Sequence, residues 1–145
     1  MNAADQYLKA IYLIQETENG PAATGAIADA LDVSPASANE MIGKLADDGL
    51  ADHEKYKGVS LTDDGIGRAR DVLERYCIIE RFLATTLEVE DYRGEATQIQ
   101  AVVDQVVADR VDLIVDRQPD CPDCFLPDED RCEYLEIPAE GGPAA

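Results

Sequence analysis

The sequence predicts a mainly α-helical protein that begins with a winged helix-turn-helix and continues into a second helical region and a short cysteine-containing segment. Three observations predict this fold class. Apolar residues recur with the period of amphipathic helices, two short helices with capping residues flank a tight turn, and two short strands follow them. We assign the winged helix-turn-helix to residues 1–70, a helical dimerisation domain to residues 71–117, and the cysteine-containing segment with a disordered tail to residues 118–145.

The first two helices are predicted from apolar spacing and from the residues at their ends. Residues 3–16 have the pattern of an amphipathic helix, with one apolar face formed by Tyr7, Ile11 and Ile14. The Asn-Gly-Pro sequence at 19–21 ends this helix. Thr24 is expected to cap the second helix, because its side-chain oxygen can accept a hydrogen bond from the first turn.

The third helix and the wing follow directly. Ser34 is a typical N-cap, and Pro35 occupies the first turn, where a missing N–H costs nothing. Gly49 ends the helix. Its inner face consists of Met41, Ile42 and Leu45. Two short strands, at 51–54 and 58–61, are then expected to form a hairpin that serves as the wing.

The second half of the chain is predicted to contain two long helices. Thr62 caps the first of them, and its apolar positions are Ile66, Ala69, Leu73, Tyr76, Ile79, Leu83 and Leu87. Residues 95–117 are predicted to form the second as one helix. The apolar faces exceed what one small chain can cover, so a two-fold homodimer is expected. The residues assigned to its interface are Ile79, Leu83, Leu87, Val103 and Val107.

The helix-turn-helix predicts binding to double-stranded DNA, because the second helix of such a unit enters the major groove. Pro35 and Ala36 can contact thymine methyl groups, and Asn39 can pair with adenine through two hydrogen bonds. Lysines of the helix and the wing can contact phosphates. The predicted DNA-binding residues are Thr24, Ser34, Pro35, Ala36, Ser37, Asn39, Glu40, Lys44, Lys55, Tyr56 and Lys57. A helix-turn-helix used only for protein contact remains an alternative.

The charge balance is strongly acidic, with 31 acidic residues against 12 basic ones and a net charge of −19. Such a balance argues against a general nucleic-acid binder, yet three of the four lysines lie in the predicted recognition helix and wing. Acidity with little lysine is typical of proteins from halophilic prokaryotes, where salt screens the repulsion. The sequence has no long apolar run and no signal peptide, so a cytoplasmic location is expected.

Several short motifs spread over residues 3–117 form a pattern together. They are Tyr7–Tyr12, Ile27–Leu31, Val33–Ser37, Met41–Leu45, Gly49-Leu50, Tyr56–Val59, Leu61-Thr62, Gly65 and Glu80–Leu83. These motifs resemble the metal-dependent regulators related to the diphtheria toxin repressor and the manganese transport regulator. The resemblance implies a helical dimerisation domain, a homodimer that binds a palindromic operator, divalent iron or manganese as the signal, and no enzymatic activity.

The resemblance also implies metal ligands on three helices, and most of those positions depart from the family pattern. The first helix carries Gln6 and Lys9 in place of an acid or methionine, and Tyr76 replaces the usual histidine of the long helix. Glu80 is kept. The positions on the following helix hold Thr97, Gln100 and Ala101. Amide and methyl groups do not replace a carboxylate and an imidazole as hard-metal ligands, so most of the usual divalent site is expected to be lost.

The four cysteines offer a different metal site. Cys121 and Cys124 form a C-x2-C pair that can chelate one ion or cluster, and Cys132 follows closely enough to join them. Cys77 on the long helix is the candidate fourth ligand, with Glu80 nearby. Thiolate ligation favours iron, an iron–sulfur cluster or zinc over manganese.

Other interpretations of the cysteines stay open. Cys77 can be an inert core residue, and the remaining thiols can form a redox switch that regulates without a metal. A thiol oxidoreductase is disfavoured, because the C-x2-C pair follows a helix without any βαβ pattern. The preferred interpretation is a metal- or iron/redox-responsive DNA-binding regulator that acts as a repressor.

Overall fold

The computed structural model describes residues 3–54, 57–100, 102–115, 123, 125–126 and 131–132. The chain divides into two compact units, of which the first ends at Val72 and the second begins at Leu73. The boundary falls inside the fourth helix. The mainly helical fold class with an N-terminal winged helix-turn-helix is confirmed, whereas most of the cysteine-containing segment lies outside the described residues.

The first unit has the element order of a winged helix-turn-helix. Its elements are α1 (Ala3–Glu18), α2 (Thr24–Leu31), α3 (Pro35–Asp47), β1 (Ala51–Glu54), β2 (Gly58–Leu61) and the first part of α4 (Asp63–Arg81). Helix α1 packs against α2, α3 and β2. The large apolar side chains of these elements that are at most 1% exposed are Leu8, Ile11, Ile27, Ile42, Leu45, Val59 and Val72. Burial of each contributes about 1.5–3 kcal/mol, so this core holds the helices in place.

The predicted cap of α2 is wrong. The helix begins at Thr24 itself, and Ala23 holds the N-cap position in an extended conformation without a side-chain hydrogen bond. The alanine side chain has no oxygen, so only its backbone carbonyl takes part in the first turn, where it accepts from the Ile27 N–H at 3.1 Å. At the other end Asp32 ends the helix with a φ of 53°, a conformation that a short polar side chain tolerates.

The wing is an antiparallel hairpin with the strand bounds that the sequence predicts, and β1 pairs Ala51 with Leu61 of β2. Ala22 extends the hairpin on its other side. The Ala22 N–H donates to the Val59 carbonyl, and the Val59 N–H donates to the Ala22 carbonyl, both at 2.8 Å. Gly58 lies beside this contact with a φ of 93°, and a Cβ there would fall 2.5 Å from the Ala22 oxygen. Glycine is therefore required at this position.

Thr62 connects the segment that follows α3 to the start of α4. Its hydroxyl accepts from the Gly65 N–H at 3.1 Å, which confirms the predicted cap, and donates to the Gly49 carbonyl at 2.7 Å. The Leu50 carbonyl accepts from the Thr62 N–H at 3.0 Å. A Cβ on Gly65 would overlap that same Leu50 oxygen, so the two segments approach more closely than any larger residue allows.

The second unit contains the rest of α4, a π-helical turn at Phe82–Thr86, α5 (Tyr92–Gln100), α6 (Gln105–Asp112), β3 (Phe125–Leu126) and β4 (Arg131–Cys132). Helix α5 packs against the π-helical turn. The two short strands pair antiparallel, with Phe125 opposite Cys132, and the sequence did not predict them. In the parts of the chain described above, none of the helices combines the length and the apolar character that crossing a membrane requires.

The single helix predicted for residues 95–117 is wrong, because α5 and α6 are separate. Asp104 is the N-cap of α6 in an extended conformation, and its carbonyl accepts from the Ala108 N–H at 3.1 Å. Aspartate favours such positions over a helix interior, and the β-branched Val102 and Val103 before it have low helix propensity. The period of the apolar residues alone therefore does not predict the break between α5 and α6.

The predicted dimer face is also partly wrong. Ile79 and Leu83 are only 3% and 4% exposed, so they are buried within the chain, whereas Leu87, just beyond the π-helical turn, is 54% exposed. Val107 is exposed and Val103 is half-buried. We call the exposed apolar side chains on and beside α6 the α6 apolar surface, and its members are Val102, Val106, Val107, Leu113 and Ile114.

Candidate nucleic-acid interface

The start of α3 is fixed by two serine side chains. The Ser34 hydroxyl accepts from the Ser37 N–H at 3.1 Å, which confirms the predicted N-cap, and the two hydroxyl oxygens are 3.0 Å apart. Pro35 occupies the first helical position, as predicted. Because the cap satisfies a backbone donor of the first turn, the helix can begin at the surface with its end in solvent.

The two faces of α3 differ sharply in burial. Ala38, Ile42 and Leu45 are at most 1% exposed and attach the helix to the unit. The predicted base-contacting and phosphate-contacting residues lie on the opposite, exposed side: Pro35, Ala36, Ser37, Asn39, Glu40 and Lys44. The structure therefore presents a capped helix whose outer side chains are small or polar and are not engaged in the core.

Each described lysine of the candidate interface has an acidic neighbour three or four positions before it in sequence. Lys44 Nζ lies 3.9 Å from Glu40 Oε1 on α3, and Lys57 Nζ lies 3.7 Å from Glu54 Oε2 at the wing. Thr24 is half-buried at the start of α2. Lys55 and Tyr56, the other predicted contacts of the wing, lie outside the described residues.

Gln15 is a functional candidate that sequence reasoning missed. Its side-chain Oε1 accepts from the Leu61 N–H at 2.7 Å, so the end of α1 is tied to strand β2 of the wing. Leaving a partly buried backbone N–H without this acceptor costs about 1–3 kcal/mol. The contact joins residues that are 46 positions apart, and no local motif predicts it.

The predicted cysteine ligands are only partly covered by the structure. Cys77 and Glu80 are three positions apart on α4, hence neighbours on the helix, and both are buried, at 3% and 0% exposure. Cys132 is placed by its backbone in β4, and Cys121 and Cys124 lie outside the described residues. In the described part of the chain, no three His, Cys, Asp or Glu side chains are grouped to hold a metal ion.

The positions of the family's divalent site hold mostly unsuitable donors. Glu80 and Gln100 are both fully buried, and neither the Gln100 amide oxygen nor its nitrogen has a hydrogen-bond partner among the described residues. The Thr97 hydroxyl is exposed and donates to the Arg93 carbonyl at 2.9 Å. Lys9, at another of these positions, brings a positive charge and is buried.

Helix α3 is the second helix of the helix-turn-helix, and its capped start and outer face are exposed. A β-hairpin follows it. This arrangement defines a winged helix-turn-helix DNA-binding domain. Comparison with protein-family models gives the particular family. Residues 1–59 match the N-terminal DNA-binding domain of the iron-dependent repressors, and residues 62–124 match their metal-binding and dimerisation domain. The chain belongs to this family of metal-dependent transcriptional regulators, which are not enzymes.

Individual relatives agree with this assignment. The chain is 31% identical over 140 residues to the HTH-type transcriptional regulator MntR of Oceanobacillus iheyensis, covering 91% of this chain and 85% of that protein. It is 27% identical over 118 residues to an uncharacterised HTH-type transcriptional regulator of Methanocaldococcus jannaschii, covering 80% of this chain and 94% of that protein.

The crystal structure of the metal-dependent transcriptional regulator MtsR matches with a TM-score of 0.67 and 31% identity. The match covers 77% of this chain and 52% of that one, so the present chain spans about half the length of that solved relative.

Proposed function

We propose that the protein is a homodimeric, metal-responsive repressor that binds a palindromic operator in double-stranded DNA through α3 and the wing. The single observation that carries this proposal is the capped start of α3, which leaves Asn39 and the small residues before it on an exposed helix face. Such a helix end is what a winged helix presents to base edges.

The chemistry of the exposed face supports specific rather than general recognition of DNA. The Asn39 amide can donate to and accept from one adenine, which is a discriminating contact. Pro35 and Ala36 offer apolar contact to thymine methyl groups. Lys44 and Lys57 provide positive charge for phosphates, although each already has a carboxylate neighbour.

The α6 apolar surface supports the homodimer. Val102, Val106 and Leu113 are 79%, 67% and 77% exposed, and a cluster of exposed large apolar side chains is typical of an interaction site. The family model assigns dimerisation to this half of the chain. A two-fold dimer would carry two recognition helices, which suits a palindrome with half-sites about one DNA turn apart.

Substitutions of Asn39 and Lys57 test the DNA contact. Asn39→Ala is expected to cost about 1–3 kcal/mol at the operator and to relax base preference, because a base contact is lost. Lys57→Ala is expected to weaken operator and unrelated DNA by similar factors, because a phosphate contact carries no sequence information. Mobility-shift titrations with the gene's own upstream region measure both. Unchanged operator affinity and specificity in Asn39→Ala would contradict the assignment of α3 as the recognition helix.

The residues at the family's divalent site do not fit a hard divalent ion. They supply one carboxylate, on Glu80, and two amides, on Gln6 and Gln100, while Lys9 adds a competing positive charge. Hard cations such as manganese require several oxygen ligands, and iron also accepts imidazole. We therefore place the metal response elsewhere, in the cysteines.

For the signal, we propose a transition metal held by Cys121, Cys124 and Cys132, with Cys77 and Glu80 as further candidate ligands. A C-x2-C pair with a third thiol suits zinc, iron or an iron–sulfur cluster better than manganese. The pairing of β4 with β3 supports the grouping, because it sets Cys132 across from Phe125, the residue after Cys124 in sequence.

Metal analysis of anaerobically purified protein tests this site. We expect about one zinc or iron centre per chain for a mononuclear site, held by thiolate ligands, and visible absorption if the centre is an iron–sulfur cluster. Cys124→Ser is expected to lose the metal, whereas Ser60→Ala, at a half-buried position of β2, is a control that retains it. Protein that carries neither zinc nor iron would refute the metal site and favour a thiol–disulfide switch.

A further inference from the structure

The two lysine–carboxylate pairs of the candidate interface contribute little to folding. The Glu40–Lys44 and Glu54–Lys57 pairs have separations of 3.9 and 3.7 Å, and all four side chains are 64–74% exposed. Exposed pairs of this kind have small effects on stability, because solvent screens them. Both pairs lie where the lysines would contact phosphates. We therefore expect the carboxylates to change the affinity for DNA rather than the stability of the fold.

The geometry brings each carboxylate close to any phosphate that its lysine binds. A phosphate oxygen hydrogen-bonded to an ammonium lies about 2.8 Å from Nζ. With the pair distances of 3.7–3.9 Å, the phosphate oxygen and the carboxylate oxygen are then separated by at most about 7 Å. Two unit negative charges at about that distance in water repel enough to lower an equilibrium constant about threefold.

We propose that Glu40 and Glu54 set the salt dependence of DNA binding by opposing the phosphate contacts of Lys44 and Lys57. This inference rests on the proposed function. A phosphate that approaches a bare lysine releases condensed cations, which makes affinity fall steeply as salt rises. Here each carboxylate gains a cation from solution when the phosphate approaches, and this uptake offsets the release.

Two consequences follow for the complex. Operator affinity declines only weakly with salt, because part of the counterion release is cancelled. Non-specific DNA is bound weakly even at low salt, because non-specific binding consists of phosphate contacts. Sequence-specific contacts such as that of Asn39 then make up a larger share of the total affinity.

Charge-removing substitutions test the proposal directly. Glu40→Gln and Glu54→Gln keep the size of the side chain and lie on exposed positions. Each is expected to raise DNA affinity by up to about twofold at about 0.1 M potassium chloride, where a screening length of about 10 Å leaves about half of the repulsion at about 7 Å. The gain is expected to vanish near 1 M, where the screening length is about 3 Å. The slope of log affinity against log salt therefore becomes steeper, by up to about 0.9 per freed lysine.

Two controls separate a local effect from total charge. Glu90→Gln removes the same charge from an exposed residue of the second unit and is expected to leave the slope unchanged. In a Lys44→Gln background, Glu40→Gln is expected to have no effect on the slope, because the lysine through which it acts is absent. Thermal melting of every variant checks that folding is unaffected.

The outcomes distinguish the inference from the function on which it rests. A wild-type slope in both Glu40→Gln and Glu54→Gln, or an equal change in Glu90→Gln, overturns the inference while operator binding by the wild-type chain still supports the proposed function. A wild-type chain that binds its operator no more tightly than unrelated DNA overturns the proposed function, and the inference fails with it.

Discussion

Val106→Glu is expected to convert the dimer to a monomer and to abolish tight operator binding. Val106 is 67% exposed on α6, within the α6 apolar surface. In a two-fold interface each substitution acts twice, and a carboxylate buried without a partner is strongly unfavourable. Losing the second recognition helix removes the gain from two linked contacts, which is roughly a hundredfold or more.

Light scattering at micromolar concentration and operator titration measure the two effects. Gln98→Glu is the matched control, because Gln98 is exposed on α5 and is not part of the α6 apolar surface. This control is expected to remain dimeric and to bind DNA as the wild type does. A Val106→Glu protein that stays dimeric would show that the second copy does not dock on α6.

Gly65→Ala is expected to destabilise the first unit by about 1–3 kcal/mol or more, because overpacking against backbone cannot relax easily. A Cβ at this position would overlap the Leu50 carbonyl oxygen, which is engaged by the Thr62 N–H at 3.0 Å. Relief requires α4 to move away from the end of the recognition helix. Denaturant unfolding followed by circular dichroism gives the change in unfolding free energy.

Gly67→Ala provides a control two residues further along the same helix. Gly67 is exposed in α4, and nothing lies within 4 Å of a Cβ built there. Alanine has a helix propensity about 0.8–1.0 kcal/mol better than glycine, so this substitution is expected to stabilise the protein. The two alanines should therefore shift the unfolding free energy in opposite directions. A destabilisation of equal size in both variants would exclude the Leu50 contact as the cause.

The first half of the fold could be predicted from sequence because its signals are local. The cap at Ser34, the proline after it and the strand bounds of the wing each depend on residues within one turn or one hairpin. The exposed face of α3 followed from the same local pattern, since the predicted burial of Ile42 and Leu45 leaves Asn39 outside. Met41, also predicted for the inner face, is only half-buried, and Ala38 is buried instead.

In the second half of the fold, the predictions failed where tertiary packing determines which residues are buried. Ile79 belongs to an apolar stripe that the sequence assigns to a partner chain, yet its own chain buries it. Apolar periodicity predicts that one face of a helix is buried, but it does not distinguish burial by the same chain from burial by a partner chain. The interruption before Asp104 was missed because the apolar period continues across it. In the first half of the chain, the hydrogen bond from Leu61 to Gln15 was missed because 46 positions separate its partners.

The pair of hydrogen bonds between Ala22 and Val59 has a consequence for the entropy of recognition. An isolated two-stranded hairpin is only marginally stable in water, and a mobile wing would have to be ordered each time it met a phosphate. Because Ala22 holds β2 from its second edge and Gln15 holds its last amide, the base of the wing is ordered before any partner arrives. Because the wing is already ordered, less conformational entropy is lost when it associates with DNA. Each lysine contact therefore contributes more of its interaction energy to the net affinity.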